Sequence, residues 1–465
     1  MLPYTFWQRY FLPDAPTAHW ARKVLLSLII PILFWAIAPI GLSRQQALVV
    51  GCVLLVIVWW STNWVKKIPA ALCLSLSFCL FSGTKLTTIF SFPLSETFPL
   101  IVMTYLFSQA ITNSGLMEKL IHPLLLRWIR TSYGCTAAII AIFYLTMFVI
   151  PQPLARLIIV ASIFQKFFED THLPARTRSA LLYAIFLFYA AVNMSAKDAD
   201  MIMNYVAAGF SPVPISNGQW MVAMALPSFA TILALTGIFF LLFRKELQAG
   251  RLTPPEGSMG TQLTRQQKKE GAVILGTVIL WMTAPFHGID STLITLGALC
   301  LLFAMGTLHK KDFRSIDGTT LIFLTAAFSI GGVLKECGAA DKIFGLFGGI
   351  FPAAFSPVYL LLMLLVTMAL HLILGSNTTT LSVVVPGLII LCGNVVPSPV
   401  IVYIAIVAVS FHAILPFHSV AMMIGETEGH FPASYITRMA IPLTLLVYLS
   451  AVVIYLPWWR WIGLL

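Results

Sequence analysis

The chain has 465 residues, 59% of them hydrophobic and only 10% charged, with 28 Lys and Arg against 17 Asp and Glu for a formal net charge of +11. So little charge excludes an ordinary soluble domain. A cationic excess spread between apolar runs marks cytoplasmic loops and not a nucleic-acid partner. The pattern predicts an all-α polytopic membrane protein of the cell's inner or plasma membrane, solvated by the lipid bilayer.

A crossing helix needs roughly 20 apolar residues. Such runs occur at about 24–41, 46–64, 68–84 and 95–115, followed by a polar-interrupted hairpin at 134–170 and spans at 180–206 and 219–243. The polar stretch 244–270, containing "TPPEGSMGTQLTRQQKKE", is the clearest break in the chain. Beyond it come 271–286, 290–307, 318–337, a second interrupted hairpin at 356–396, then 400–426 and 438–458. With both hairpins re-entrant, this gives about eleven transmembrane helices plus two hairpins. The segments are therefore 1–45 (N-terminal segment and first span), 46–243 (first repeat), 244–270 (cytoplasmic linker) and 271–465 (second repeat). Arg9, Arg22, Lys23, Lys66, Lys67, Arg127, Arg130, Arg244 to Lys269, Lys310, Lys311 and Arg314 all fall on one side if the N-terminus is cytoplasmic, which leaves the C-terminus outside. "MEKLIHPLLLRWIR" (Met117 to Arg130) is basic and amphipathic and suits the inner interface. Residues Met1 to Lys23 lack the short apolar core of a cleavable signal. The seven cysteines show no metal-ligand spacing and read as small buried hydrophobes.

The two halves resemble each other. "NSGLMEKL" at Asn113 matches "ECGAADKI" at Glu336, aligning Gly115 with Gly338 and Lys119 with Lys342. "WMVAMALP" at Trp220 matches "YITRMAIP" at Tyr435, aligning Pro227 with Pro442. "LPARTRSALLYAIF" at Leu173 and "VPSPVIVYIAIV" at Val396 fall in the same order. Five crossings plus a hairpin per half invert the second copy, a layout found in secondary transporters.

Within the second hairpin, Ser376 to Thr380 place five consecutive hydroxyl or amide side chains between apolar arms. Lipid cannot satisfy bare backbone, so irregular chain at membrane depth is buried in protein or lines a wet cavity. A hairpin tip there offers oxygens to a hard cation such as sodium and a helix N-terminus to an anion. The competing reading is a Ser/Thr-rich helix contact.

"GSNTTTLSVVVPGLII" (Gly375 to Ile390) resembles the Ser-Asn-Thr hairpin tip of the divalent anion/sodium symporter family, carriers of succinate, citrate and sulfate. "ILPFHSVAMMIGETEGHF" (Ile414 to Phe431) resembles that family's unwound stretch in the penultimate span, and the resemblance runs from about residue 40 onward. It implies that Ser376 and Asn377 ligate sodium with carbonyls near Leu415 and Pro416, and that Asn377, Thr378 and Ser419 touch the anionic substrate. It also implies elevator-type alternating access in a homodimer, with no cofactor beyond sodium as a coupling ion.

The first half departs from the family. Pro151-Gln152-Pro153 stands where a second Ser-Asn-Thr is expected, with Arg156 one turn on. The two prolines still break a helix, and Gln152 and Arg156 become the substrate-binding candidates at this tip. "AAVNMSAKDADM" (Ala190 to Met201) adds Ser195 as a substrate ligand, with Lys197 and Asp198 as charge or proton groups or else solvated near the external surface. In the second half His418, just past Pro416, is a further proton candidate, with His412, Glu426 and Glu428 nearby. The leading expectation is a secondary carrier of small anions and not an enzyme. A proton-coupled or exchanging relative is the alternative. A membrane enzyme on lipid-linked or acyl substrates, with His412 or His418 as base, is the third reading.

Overall fold

The computed structural model describes residues 18–465 except 63, 96, 249–251, 253–261, 346–347, 375 and 412–418. All regular elements among the described residues are helices. The first span is α1 (Ala18–Ser27) and α2 (Ile29–Ile37). The first half continues with α3 (Arg44–Thr62), α4 (Lys67–Phe81), α5 (Thr97–Ser114), α6 (Leu116–Trp128), α7 (Ser132–Thr146), α8 (Pro153–Asp170), α9 (Ala175–Asn193), α10 (Met203–Gly209) and α11 (Asn217–Leu242). The second half gives α12 (Arg265–His287), α13 (Ser291–Ala304), α14 (Gly318–Glu336), α15 (Ala339–Gly345), α16 (Pro357–Leu374), α17 (Asn377–Cys392), α18 (Ser398–Phe411), α19 (Val420–Thr427) and α20 (Ala433–Ser450).

The helices α3 to α11 thus recur in order as α12 to α20, and their packing recurs with them. α4 packs on α14, and α13 packs on α5, so each half supplies a helix to the other. Lys67 lies near Phe323 and Thr88 near Glu336, so α4 and α14 run parallel. Tyr105, midway along α5, lies near Thr320 at the start of α14, while Phe92, just before α5, packs edge-on against Phe98 in the first turn of α5 and stacks on Phe328 further along α14. α5 is therefore antiparallel to α14. Asn113 donates to the Thr307 carbonyl, 3.0 Å away, bringing the ends of α5 and α13 together. The two copies run in opposite senses, as an odd number of crossings requires.

Apolar packing divides the chain into two bodies. One core joins the hairpins α7–α8 and α16–α17 to the interrupted helices α9–α10 and α18–α19 and to α11 and α20. Two smaller, repeat-related cores are α3, α4 and α14 around Trp60, Phe78 and Phe323, into which Val206 of α10 also packs, and α5, α12 and α13 around Phe107, Ile274 and Leu302, into which Ile150 of the first hairpin also packs; a fourth cluster at Leu42, Ala47, Val50 and Ala339 joins α3 to α15. Among the described residues, four helices are long and apolar enough to cross a membrane, at 175–193, 217–242, 318–336 and 433–461. Of the shorter apolar helices, those at 132–146, 357–372 and 377–392 lie in the hairpins that sequence reads as interrupted. On α11, Val222, Leu226, Phe229, Leu233 and Leu241 face outward, where lipid and not water completes their burial.

Three boundaries shift. The expected single span 180–206 is two helices separated by residues 194–202. The expected linker start is still ordered, with a one-turn helix Arg244–Gln248 tied by the Glu246 carboxylate to Arg438 at 2.7 Å. Its end belongs to α12, in which Glu270 is buried and accepts from the Thr307 hydroxyl at 2.8 Å.

Candidate functional site

Every break in the large body points to one place. A cavity of about 140 Å³ is lined by Pro153 and Leu154 from the first hairpin tip and by Tyr189, Asn193, Asp200, Met203 and Asn204 from the first broken helix. Ser376, Asn377 and Thr378 come from the second hairpin tip, and Ser410, Ser419, Val420 and Ala421 from the second broken helix. The opposing wall belongs to the small cores: Lys67 from α4, and Thr320 and Phe323 from α14.

The first half has filled its own vacancies. Gln152 is the N-cap of α8, and its side-chain oxygen accepts from the Ala155 amide. Asp200 Oδ1 accepts from the amides of Ile202 at 3.0 Å and Met203 at 2.8 Å, capping α10. Arg156 is fully buried. Its Nη1 donates to the carbonyls of Ile150 at 2.9 Å and Met147 at 3.2 Å, and its Nη2 donates to Asn193 Oδ1 and the Ala199 carbonyl. The guanidinium thus ties the end of the first hairpin arm to the broken helix. Asn204 Nδ2 completes that junction by donating to the carbonyls of Asn193 at 2.8 Å and Ala196 at 2.9 Å.

Among the described residues, the second half has not. Ser376 and Ser419 are the N-caps of α17 and α19, both in extended backbone, and neither makes a side-chain cap bond. Among the described residues no side chain caps the first amides of either helix at the cavity, where a helix N-terminus favours negative charge. The Thr380 amide and hydroxyl both return to the Ser376 carbonyl, at 2.8 Å each, which shapes the turn. His371 Nε2 lies 2.9 Å from Asn377 Oδ1. With the amide oxygen taken by the imidazole N–H, Asn377 keeps its Nδ2 donor, whose neighbour is the weak acceptor Met203 Sδ at 3.6 Å.

The candidates from sequence therefore separate. Ser376, Asn377, Thr378 and Ser419 line the cavity. Gln152, Arg156, Ser195, Lys197 and Asp198 are not among its lining residues, and each has another partner. Gln152 caps α8 through the Ala155 amide, and Ser195 meets the Tyr144 hydroxyl at 3.2 Å. Lys197 Nζ donates to the Ile215 carbonyl at 2.8 Å over the Tyr205 ring. Asp198 accepts from the Tyr205 hydroxyl at 2.6 Å and from Asn217. Arg156, expected to meet substrate, gives Nη1 and Nη2 to carbonyl oxygens instead, and its buried Nε has no partner among the described residues. Leu415, Pro416, His412 and His418 lie outside the described residues. Asn193 and Asp200, which sequence places in a polar stretch without settling which way they face, are wall residues; sequence reasoning misses Tyr189 and above all Lys67, whose Lys-Lys pair reads as an interface marker. Among the described residues, no cluster of three His, Cys, Asp or Glu is placed to hold a metal ion.

The family model described as the sodium:sulfate symporter transmembrane region matches residues 17–465. A protein of Cupriavidus necator described as "Membrane protein" is 24% identical over 272 residues, which is 53% of this chain and about half (50%) of that relative's length. Among solved structures, the YdaH transporter of Alcanivorax borkumensis superposes with a TM-score of 0.56 at 14% identity, covering 88% of this chain and 98% of that one. The likeness extends to the fold.

Proposed function

Because this chain belongs to the sodium:sulfate symporter transmembrane-region family, and so to the transport proteins, we propose that it is a secondary carrier of a small inorganic or carboxylate dianion. The observation that carries this reading is the convergence of two helix N-termini without side-chain caps, α17 at Ser376 and α19 at Ser419, on one cavity between the large body and the smaller cores. Backbone amides and positive dipole ends suit an anion. The hydroxyls of Ser376, Thr378, Ser410 and Ser419 and the Asn377 amide add neutral donors.

The large body moves as a unit against the small cores, an elevator-type exchange of access in which hairpin tips and broken helices travel together. The gathering of both hairpins and both broken helices into one large core supports that division. Two copies pair through the small cores, and the N-terminus is cytoplasmic. Sodium couples through the second half alone, at oxygens near Ser376, because Arg156 already holds the carbonyls of the first. Asp200 in the cavity wall favours one second reading, in which a proton or cation taken there drives the anion.

Uptake of labelled sulfate, phosphate and succinate into sealed proteoliposomes, with and without sodium, tests the function. Carriage of at least one of these anions against a protein-free control is expected. Turnover of any of them without a sealed membrane would instead indicate an enzyme.

A further inference from the structure

Lys67 is the cationic side chain among the described residues that line the cavity, and it stands on the small cores, across the gap from the hairpin tips. It is the first residue of α4, with its ammonium 5.5 Å from the centre of the Phe323 ring. Among the described residues its ammonium has no hydrogen-bond acceptor. Asp317 and Asp200 are both committed elsewhere. Asp317, which acts on Lys67 through space, caps α14 through the amides of Thr319 at 3.0 Å and Thr320 at 3.2 Å. Asp200, across the cavity, caps α10.

The repeat makes this charge one-sided. α4 corresponds to α13, which runs in the opposite sense. Where Lys66 and Lys67 begin α4, Asp290 and Ser291 begin α13, and the Asp290 carboxylate caps that helix through the Thr292 amide at 2.8 Å. One mouth of the small cores presents two ammonium groups, and its repeat-related counterpart presents a carboxylate and a hydroxyl.

We propose that Lys67 is an anion-binding residue acting at one face of the membrane only. Its ammonium closes over the dianion held by α17 and α19 while the cavity opens toward the Lys66–Lys67 face. No cation takes its place when the large body turns to the Asp290–Ser291 face. The anion is therefore held more tightly on the lysine side, and the carrier is asymmetric. This inference rests on the transport reading above.

Three forms test it: Lys67→Met, Lys67→Arg and Ser291→Lys. Each is first checked for its melting temperature with and without sulfate, phosphate and succinate. Apparent KM is then measured from each face in proteoliposomes with uniformly oriented protein. Loss of a charge-assisted contact predicts that Lys67→Met raises KM at the lysine face by about tenfold or more and leaves the opposite face within about twofold. Lys67→Arg stays near the wild type, and Ser291→Lys lowers KM at the opposite face. Equal changes at both faces, or none in Lys67→Met while the wild type responds to anion, overturn the role of Lys67 and leave the transport function standing. A wild-type protein that neither carries nor is stabilised by any of the three anions overturns both.

Discussion

Arg156 and Ala199 are joined across the first half of the chain: the guanidinium of one, a turn inside α8, donates to the backbone carbonyl of the other in the broken helix. With the bonds to Met147, Ile150 and Asn193, a permanent cation sits where unwound backbone concentrates oxygens.

Removing that cation leaves buried acceptors without donors. Arg156→Ala is expected to destabilise the protein by about 3 kcal/mol or more, and Arg156→Lys by less, since it keeps charge but loses the planar fork. Melting in detergent checks this. An Arg156→Ala protein melting with the wild type would show that the tie contributes nothing.

The uncapped N-termini make a prediction with opposite signs. Ser376→Asp supplies α17 with a charged cap, worth about 0.5–1 kcal/mol to the helix, while placing a carboxylate where the anion belongs. The variant is expected to melt at or above the wild-type temperature and to lose stabilisation by sulfate or succinate. Ser419→Asp does the same at α19. Retained anion stabilisation in both variants removes these termini from the site.

Asn377 is oriented by His371. Asn377→Ala is expected to abolish uptake with expression and melting little changed. His371→Phe should reduce uptake less completely, by releasing the amide. Normal transport by Asn377→Ala would return Ser376 to Thr380 to a helix-contact role.

Sodium dependence follows from the self-filled first half. With one cation-accepting half remaining, uptake should rise with sodium with a Hill coefficient of about one. A coefficient of about two would mean that Arg156 does not replace a cation.

The linker offers a test of orientation. A single cysteine at Ser258, in an otherwise cysteine-free chain, should react with an impermeant thiol reagent only from the cytoplasmic face. Labelling in intact cells would reverse the assigned topology.

Much of this architecture is legible in the sequence, because lipid leaves few alternatives. Apolar runs must be helices, and the polar interruptions at Pro151–Pro153, Asn193–Asp200 and Ser376–Thr380 must lie against protein or water. Where a side chain points is not legible. Arg156 lies one turn from a hairpin tip, and the same spacing permits a turn toward the cavity or toward Ala199. Lys67 carries the opposite lesson. A lysine pair at the start of a span reads as an interfacial anchor, and only the packing of α4 on α14 brings its ammonium to the cavity wall. Asp200 is hidden by its neighbours, since Lys197 and Asp198 look equally exposed to function.

The crossed pairing of α4 with α14, and of α13 with α5, bears on how the protein is made. Ala70, Ala71, Leu74 and Phe78 of α4 are buried in a core whose other wall is α14. During synthesis that seam reaches the bilayer long before its partner has been translated. Until then it must be covered by lipid, by the insertion machinery or by a neighbouring nascent chain. Neither half is a self-sufficient unit of biogenesis, and the break between α11 and α12 divides the sequence without dividing the folding problem.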